Sequence, residues 1–164
     1  MYRKGHVGAA LAVYAPVGFG LAAFAGLELA AVGTAIVAWT AMLPDLDTRV
    51  PFVKHRGITH TVWFALAVGV AFGLVGGAVG IESGPIAALA LAALGFVLGA
   101  GTVVSHLLAD AITPMGIRPY APVRDDHYTL DLVTAANPVA NYALLVAGGV
   151  VAGIAVLTGT AVGG

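Results

Sequence analysis

Residues 85–112 read PIAALALAALGFVLGAGTVVSHLLADAI, and no charged residue or histidine interrupts them before His106. A bilayer core about 30 Å thick is crossed by roughly 20 consecutive apolar residues in a helix. The segment is therefore long enough to span a membrane, and His106 and Asp110 lie where it would leave the bilayer. It predicts a membrane-spanning helix with a polar site at one end.

The whole chain has the composition of a membrane protein. Of its 164 residues, 60% are hydrophobic and only 9% are charged, and the mean hydropathy is +0.98. These values exceed those of a soluble domain of this size. We therefore predict an all-α, polytopic transmembrane helical bundle of about five spanning helices, in a single integral membrane domain covering residues 1–164. The predicted helices lie near residues 7–25, 28–43, 59–79, 85–112 and 138–160.

Residues 1–43 admit more than one arrangement. The linker Gly26–Glu28 is short and Pro16 can kink the first helix, so this region forms either two spans or a kinked, re-entrant pair. A signal peptide is a further alternative, since Arg3 and Lys4 precede an apolar stretch, but Pro16 interrupts that stretch.

Glycines four residues apart predict close contacts between helices, because a missing side chain lets two backbones approach. The pairs are Gly69/Gly73, Gly73/Gly77, Gly95/Gly99 and Gly149/Gly153.

All lysines and arginines fall on one side of this topology. They precede the first predicted helix or lie in the loops 44–57 and 113–137. Because positive residues favour the cytoplasmic side, we expect a multi-pass protein of the plasma membrane with a cytoplasmic amino terminus and both loops cytoplasmic. No basic run with interleaved aromatic residues indicates nucleic acid as a partner.

The histidines and aspartates gather on the same side. All five histidines and every aspartate lie at cytoplasmic helix ends or in cytoplasmic loops on this topology. Imidazole and carboxylate groups gathered in this way indicate a site for a divalent cation, and since the chain has no cysteine, its ligands must be nitrogen and oxygen. The candidate metal ligands are His6, Asp45, Asp47, His55, His60, His106 and Asp110. His127 and its neighbouring aspartates are interpreted as solvated loop residues.

Two short motifs bring carboxylates to this side. His106 and Asp110 are four residues apart and share one helical face, so they can hold one ion or, alternatively, only join two helices. Asp45 and Asp47 follow Pro44 at the end of the second predicted helix, where they can bind metal or simply be solvated.

A third motif, His55-Arg56-Gly57-Ile58-Thr59-His60, places two imidazoles and a guanidinium at a turn before the third predicted helix. His60 is favoured over His55 as a ligand, because we expect it to lie on the rigid helix. The planar fork of Arg56 suits an anionic oxygen substrate such as a phosphate.

These residue types favour hydrolysis. A metal held there could act as a Lewis acid and lower the pKa of a bound water toward about 7, chemistry suited to a phosphoester. Asp47, or Asp45, is then the candidate general base, and Arg56 the candidate group that neutralises the developing charge.

The ordered motifs resemble the YdjM-like family of LexA-regulated, membrane-bound, metal-dependent hydrolases. They are His6, PDLD at 44–47, HRGITH at 55–60 and HLLAD at 106–110, followed by TPMG at 113–116 and Pro122. The order of ligands is also similar, more remotely, to that of zinc-dependent phospholipase C and the P1-type nucleases, which hydrolyse phosphodiesters. The resemblance implies one or two zinc ions and a phosphorylated or lipid substrate from the membrane. Its ligands would be His6, one of Asp45 and Asp47, His60, His106 and Asp110.

Two other classes of protein fit the same residues. A transporter would use them as an ion pathway, and a membrane scaffold would use a metal only to join helices. Ligands spread along a transmembrane path would favour the transporter, whereas ligands clustered at helix ends favour the enzyme.

Overall fold

The regular structure is helical. The computed structural model describes residues 1–52 and 55–164, and within these ranges the only β-type pairing is an isolated bridge between Ile117 and Tyr128. Five helical segments are long and apolar enough to cross a membrane. The second of them, Leu27–Arg49, includes residues that follow the second α-helix. The prediction of an all-α, polytopic transmembrane bundle is confirmed. The helices are α1 (Arg3–Phe24), α2 (Leu27–Thr40), α3 (Val62–Gly80), α4 (Pro85–Ala111) and α5 (Pro138–Gly163).

Residues 1–43 form two helices. α1 continues through Pro16 without a break, and Gly26, whose φ of 98° suits glycine, links it to α2. α2 has 14 residues, so it is about 21 Å long, shorter than a bilayer core of about 30 Å. The 3₁₀ turn Pro44–Arg49 follows, and the apolar span is complete only when residues through Arg49 are counted.

The prediction that the third helix begins near residue 59 is wrong by about one turn. Thr61 is the N-cap of α3, where its side chain accepts a hydrogen bond from the backbone N–H of Phe64. Residues Ile58–His60 form a separate 3₁₀ turn before this cap. His60 therefore lies in a turn, not on the helix as expected.

Close glycine contacts join the helices in two pairs, α1 with α5 and α3 with α4. A Cβ atom on Gly148 of α5 would overlap the backbone of Gly8 in α1, and one on Gly95 of α4 would overlap the backbone of Phe72 in α3. The second pair agrees with the predicted glycine contacts. The predicted pair Gly149/Gly153 is wrong, because in the described part of the chain nothing lies within 4 Å of a Cβ atom built at either position. Neighbouring helical residues point about 100° apart, so Gly148 faces α1 and Gly149 does not.

This difference predicts unequal effects of two neighbouring substitutions. We expect Gly148→Leu to lower the free energy of unfolding by about 1–3 kcal/mol or more, because the new side chain must push α1 and α5 apart. Gly149→Leu, which meets open space, is the matched control and is expected to be close to neutral. Thermal unfolding of both variants in detergent measures the difference, and equal losses would contradict the assigned packing.

Candidate metal centre

Five side chains meet at one end of the bundle. His6 lies near the start of α1, Asp45 and His60 in the two 3₁₀ turns, and His106 and Asp110 near the end of α4. We call this set the His/Asp cluster. The side chain of Asp45 is 18% exposed and the other four are almost fully buried. The ligand candidates are therefore gathered at helix ends and not spread along a path across the membrane.

The Nε2 atoms of the three histidines face both carboxylates. His6 Nε2 lies 3.8 Å from Asp45 Oδ2 and 3.7 Å from Asp110 Oδ1. His60 Nε2 lies 3.3 Å from Asp45 Oδ1 and 3.6 Å from Asp110 Oδ2. His106 Nε2 lies 3.3 Å and 3.7 Å from the same two oxygens. Ligands held about 2.0–2.1 Å from a tetrahedral ion are about 3.3–3.4 Å apart. The spacing is thus closer to that of ligands around one small ion than to N–H···O hydrogen bonds of about 2.9–3.0 Å.

Several buried nitrogens in the cluster have no hydrogen-bond partner among the residues that the structure describes. These are both ring nitrogens of His6 and Nε2 of His106, whose rings stack with centroids 3.7 Å apart. Leaving a buried polar group unpaired costs about 1–3 kcal/mol, so such groups are rare without a reason. A cation among the carboxylates would supply a partner for the Nε2 atoms. The residues present therefore fit a divalent metal.

Hydrogen bonds from the other ring nitrogen orient two of the histidines. His106 Nδ1 lies 2.8 Å from the carbonyl oxygen of Ala41, which can only accept, so Nδ1 carries the proton and Nε2 keeps its lone pair. His60 Nδ1 lies 3.0 Å from the hydroxyl of Thr59, which donates its own proton to Asp47 Oδ2 at 2.6 Å. His60 Nδ1 is then the donor to Thr59, so Nε2, which lies 3.3 Å from Asp45 Oδ1, keeps its lone pair as well. Metal-binding histidines are usually held in this way.

Three overlapping sets of ligand atoms could hold a metal ion, each with its atoms within 4.8 Å of one another. Asp45 belongs to two of these sets, as do His60 and His106, so the sets share ligands. They are His6/Asp45/His106, Asp45/His55/His60 and His60/His106/Asp110.

Asp47 and His55 lie beside the cluster. Asp47 is buried, and its two oxygens accept hydrogen bonds from Thr59 and from His55 Nδ1, the latter at 2.9 Å. None of the ligand sets found in the described residues includes Asp47. The assignment of Asp47 as ligand and general base stays a prediction. Its carboxylate lies on the Nδ1 side of both His60 and His55. His55 is 46% exposed, and its ring lies edge-on to that of His60.

Arg56 contacts the cluster through Asp110. Its Nη2 donates to Asp110 Oδ1 at 2.9 Å, and its Nη1 donates to the carbonyl oxygen of Gly116 at 2.8 Å. The amino group of Met1 also lies 2.9 Å from Asp110 Oδ1. The guanidinium is thus held against a buried carboxylate, and the predicted contact of Arg56 with substrate stays a prediction.

His127 lies outside the cluster. It is exposed and contacts the carbonyl oxygen of Met115, as expected of a solvated loop residue.

Sequence reasoning missed Thr59 and the carbonyl groups of Ala41 and Gly116. Thr59 adjoins His60 in the sequence, which is a weak signal, and a backbone carbonyl leaves no signal in the residue type.

Thr59 gives a test of the hydrogen bonds behind His60. We expect Thr59→Val to weaken metal affinity by about 10–100-fold, because the link from His60 to Asp47 is lost while the ligands remain. Thr158→Val is the matched control, since Thr158 bonds only to carbonyls of its own helix. Competition with a chromogenic chelator measures the affinity, and an unchanged value for Thr59→Val would show that this link does not orient a ligand.

The fold and the cluster define a class: a multi-pass helical membrane protein with a buried group of histidines and aspartates that could bind metal. The sequence model of the YdjM inner membrane protein family matches residues 1–162, so the chain belongs to this family. The predicted YdjM-like membership is confirmed. No curated protein and no solved structure matches the chain. The more remote resemblance to zinc-dependent phospholipase C and P1-type nucleases therefore receives no support.

Proposed function

We propose that this protein is a membrane-bound, metal-dependent hydrolase of phosphoesters, with one or two zinc ions as cofactor. The observation that carries the proposal is the convergence of three imidazole Nε2 atoms on two carboxylates, with unpaired buried nitrogens in His6 and His106. A set of imidazole and carboxylate ligands without sulfur suits zinc.

The residues of the His/Asp cluster hold the ion, and the residues beside the cluster handle the substrate. When bound, a divalent ion acts as a Lewis acid and makes a coordinated water more acidic. Asp45 is the exposed member of the cluster, so substrate approaches from its side. Asp47 accepts a hydrogen bond from His55 Nδ1, which leaves His55 Nε2 to take up a proton from water. Arg56 keeps Asp110 in place and adds positive charge near the reacting phosphate.

The location of positive charge supports a cytoplasmic active face. The lysines and arginines that the structure describes all lie in the segments at the cluster end of the bundle, whereas the charged residues at the other end are acids, Glu28 in the first turn of α2 and Glu82 between α3 and α4. Positive residues favour the cytoplasmic side of a membrane. The amino terminus and the cluster are then cytoplasmic.

The location of the cluster also favours an enzyme over a transporter. Transporter sites typically lie near the bilayer midplane, at breaks in helices. Here the ligands are at helix ends and in the two 3₁₀ turns.

Hydrolysis of soluble chromogenic esters tests the proposal. We expect the purified protein to hydrolyse bis(p-nitrophenyl) phosphate or p-nitrophenyl phosphate, to lose this activity after chelation, and to regain it with added zinc. His60→Ala is expected to abolish the activity, and His127→Ala, outside the cluster, to retain it. A protein that binds metal at the cluster but hydrolyses no phosphoester would contradict the enzyme and favour the scaffold.

A further inference from the structure

An open cavity of about 590 Å³ adjoins the His/Asp cluster. It lies between the start of α1, the end of α2 and the 3₁₀ turn Pro44–Arg49, and its wall includes Asp45 and His55. Because Asp45 is the exposed member of the cluster, a molecule that reaches the metal ligands from this side must occupy the cavity.

Two arginines in the wall of this cavity have no carboxylate partner. They are Arg3 and Arg49, and among the lysines and arginines that the structure describes, they alone form no ion pair or side-chain hydrogen bond. A guanidinium presents a planar fork of donors that matches a phosphate group. Two such groups beside a metal site therefore suit a phosphate-bearing ligand. The other cations pair as Arg56 with Asp110, Arg118 with Asp125, Arg124 with Asp126 and Lys4 with Tyr142.

Part of the cavity wall is apolar and exposed. Trp39 is 80% exposed, and Leu46, in the same wall, is also exposed. Val50 and Phe52, which follow Arg49 in the chain, expose their side chains as well. Exposed tryptophan is typical of the interface between lipid and water. The apolar span that begins with α2 ends at Arg49, so we expect the end of this turn to lie at the depth of the headgroups. The cavity thus opens toward lipid.

We propose that this cavity binds an anionic glycerophospholipid, with its phosphate held by Arg3 and Arg49 and its acyl chains along Trp39 and Leu46. The inference rests on the proposed hydrolase function and names the substrate class of that site. A soluble phosphoester has the same phosphate chemistry but no acyl chains to contact Trp39 and Leu46. The contribution of acyl chains to binding therefore distinguishes a phospholipid from a soluble phosphoester.

Binding of a ligand that cannot be hydrolysed tests this inference without relying on turnover. The probe is a short-chain phosphonate analogue of phosphatidic acid, titrated calorimetrically into the metal-loaded protein in detergent. Glycerol 3-phosphate and short-chain diacylglycerol, which each contain one half of the ligand, are the comparison probes. We expect the analogue to bind more tightly than either by about tenfold or more, because both the arginines and the apolar side chains of the cavity then contribute to binding.

Two arginine variants and one control locate the site. Arg3→Gln and Arg49→Gln are each expected to weaken binding of the analogue by about tenfold or more, since each removes a charge-assisted hydrogen bond to phosphate. Both side chains are exposed, so the variants should fold normally. Arg124→Gln is the matched control, because Arg124 is exposed, pairs with Asp126 and lies outside the cavity. Glycerol 3-phosphate binding as tightly as the analogue, or equal affinity in Arg49→Gln and Arg124→Gln, would overturn the inference.

A parallel assay separates the two proposals. Hydrolysis of bis(p-nitrophenyl) phosphate without binding of the analogue would overturn the lipid inference and keep the hydrolase. Arginine-dependent binding of the analogue without hydrolysis of any ester would keep the lipid site and overturn the hydrolase.

Discussion

Replacing His106 with alanine is expected to lower the affinity for a divalent ion by more than about 100-fold, a larger effect than that of losing a residue which only orients a ligand. His106 Nε2 faces both Asp45 and Asp110, and no hydrogen-bond partner within residues 1–52 and 55–164 otherwise explains the burial of this nitrogen. Isothermal titration of zinc into chelator-treated protein measures the change. Hydrolysis of phosphoesters should be lost together with the metal.

His127→Ala is the control for this variant, because His127 is exposed and lies outside the cluster. His106→Ala also removes the hydrogen bond to the Ala41 carbonyl, which costs about 1 kcal/mol, so circular dichroism and size-exclusion chromatography should confirm that the variant is folded. A folded His106→Ala protein with the metal affinity of His127→Ala would show that the cluster is not a metal site.

Asp110→Ala is expected to lose both metal binding and stability. The Asp110 carboxylate accepts a hydrogen bond from the mostly buried guanidinium of Arg56 and faces the three histidines of the cluster. Removing one partner of a buried ion pair typically costs about 3–5 kcal/mol, because the other charge is left uncompensated. Thermal unfolding in detergent, with chelator present, measures this loss apart from the effect of metal.

Asp45→Ala is the matched control for stability. Asp45 faces the same histidines but is partly exposed and forms no ion pair with an arginine in the part of the chain that the structure describes. We expect this variant to lose metal affinity while it keeps most of the stability of the metal-free protein. Equal destabilisation by the two substitutions would mean that the pair of Arg56 with Asp110 does not stabilise the fold.

Hydropathy was sufficient to predict the helical bundle, because a membrane imposes one requirement, about 20 apolar residues, on each span. It could not place helix ends. α3 begins at Val62 because Thr61 caps it, and a hydropathy window averages over such a local hydrogen bond. It also could not show that Gly148, and not Gly149, contacts α1, since this depends on which side of α5 faces its neighbour.

For the candidate site, the sequence indicated the residues but not their arrangement. The spacing of His106 and Asp110 on a helix is enough to place both on one face. Asp45 and Asp47 look equivalent in the sequence, yet Asp45 faces the Nε2 atoms of the three cluster histidines, whereas Asp47 lies 3.5 Å from the Nδ1 atom of His60. They lie in a 3₁₀ turn with about three residues per turn, which points residues two apart in different directions. Asp47 therefore contacts Thr59 and His55 instead.

The central claim, that His6, His60 and His106 bind a divalent metal together with Asp45 and Asp110, is tested most directly by X-ray absorption spectroscopy of the purified protein at the metal edge. We expect only nitrogen and oxygen ligands at about 2.0–2.1 Å, with scattering from imidazole rings that decreases in His106→Ala. A protein without bound metal after zinc loading, or a bound metal without imidazole scattering, would contradict it.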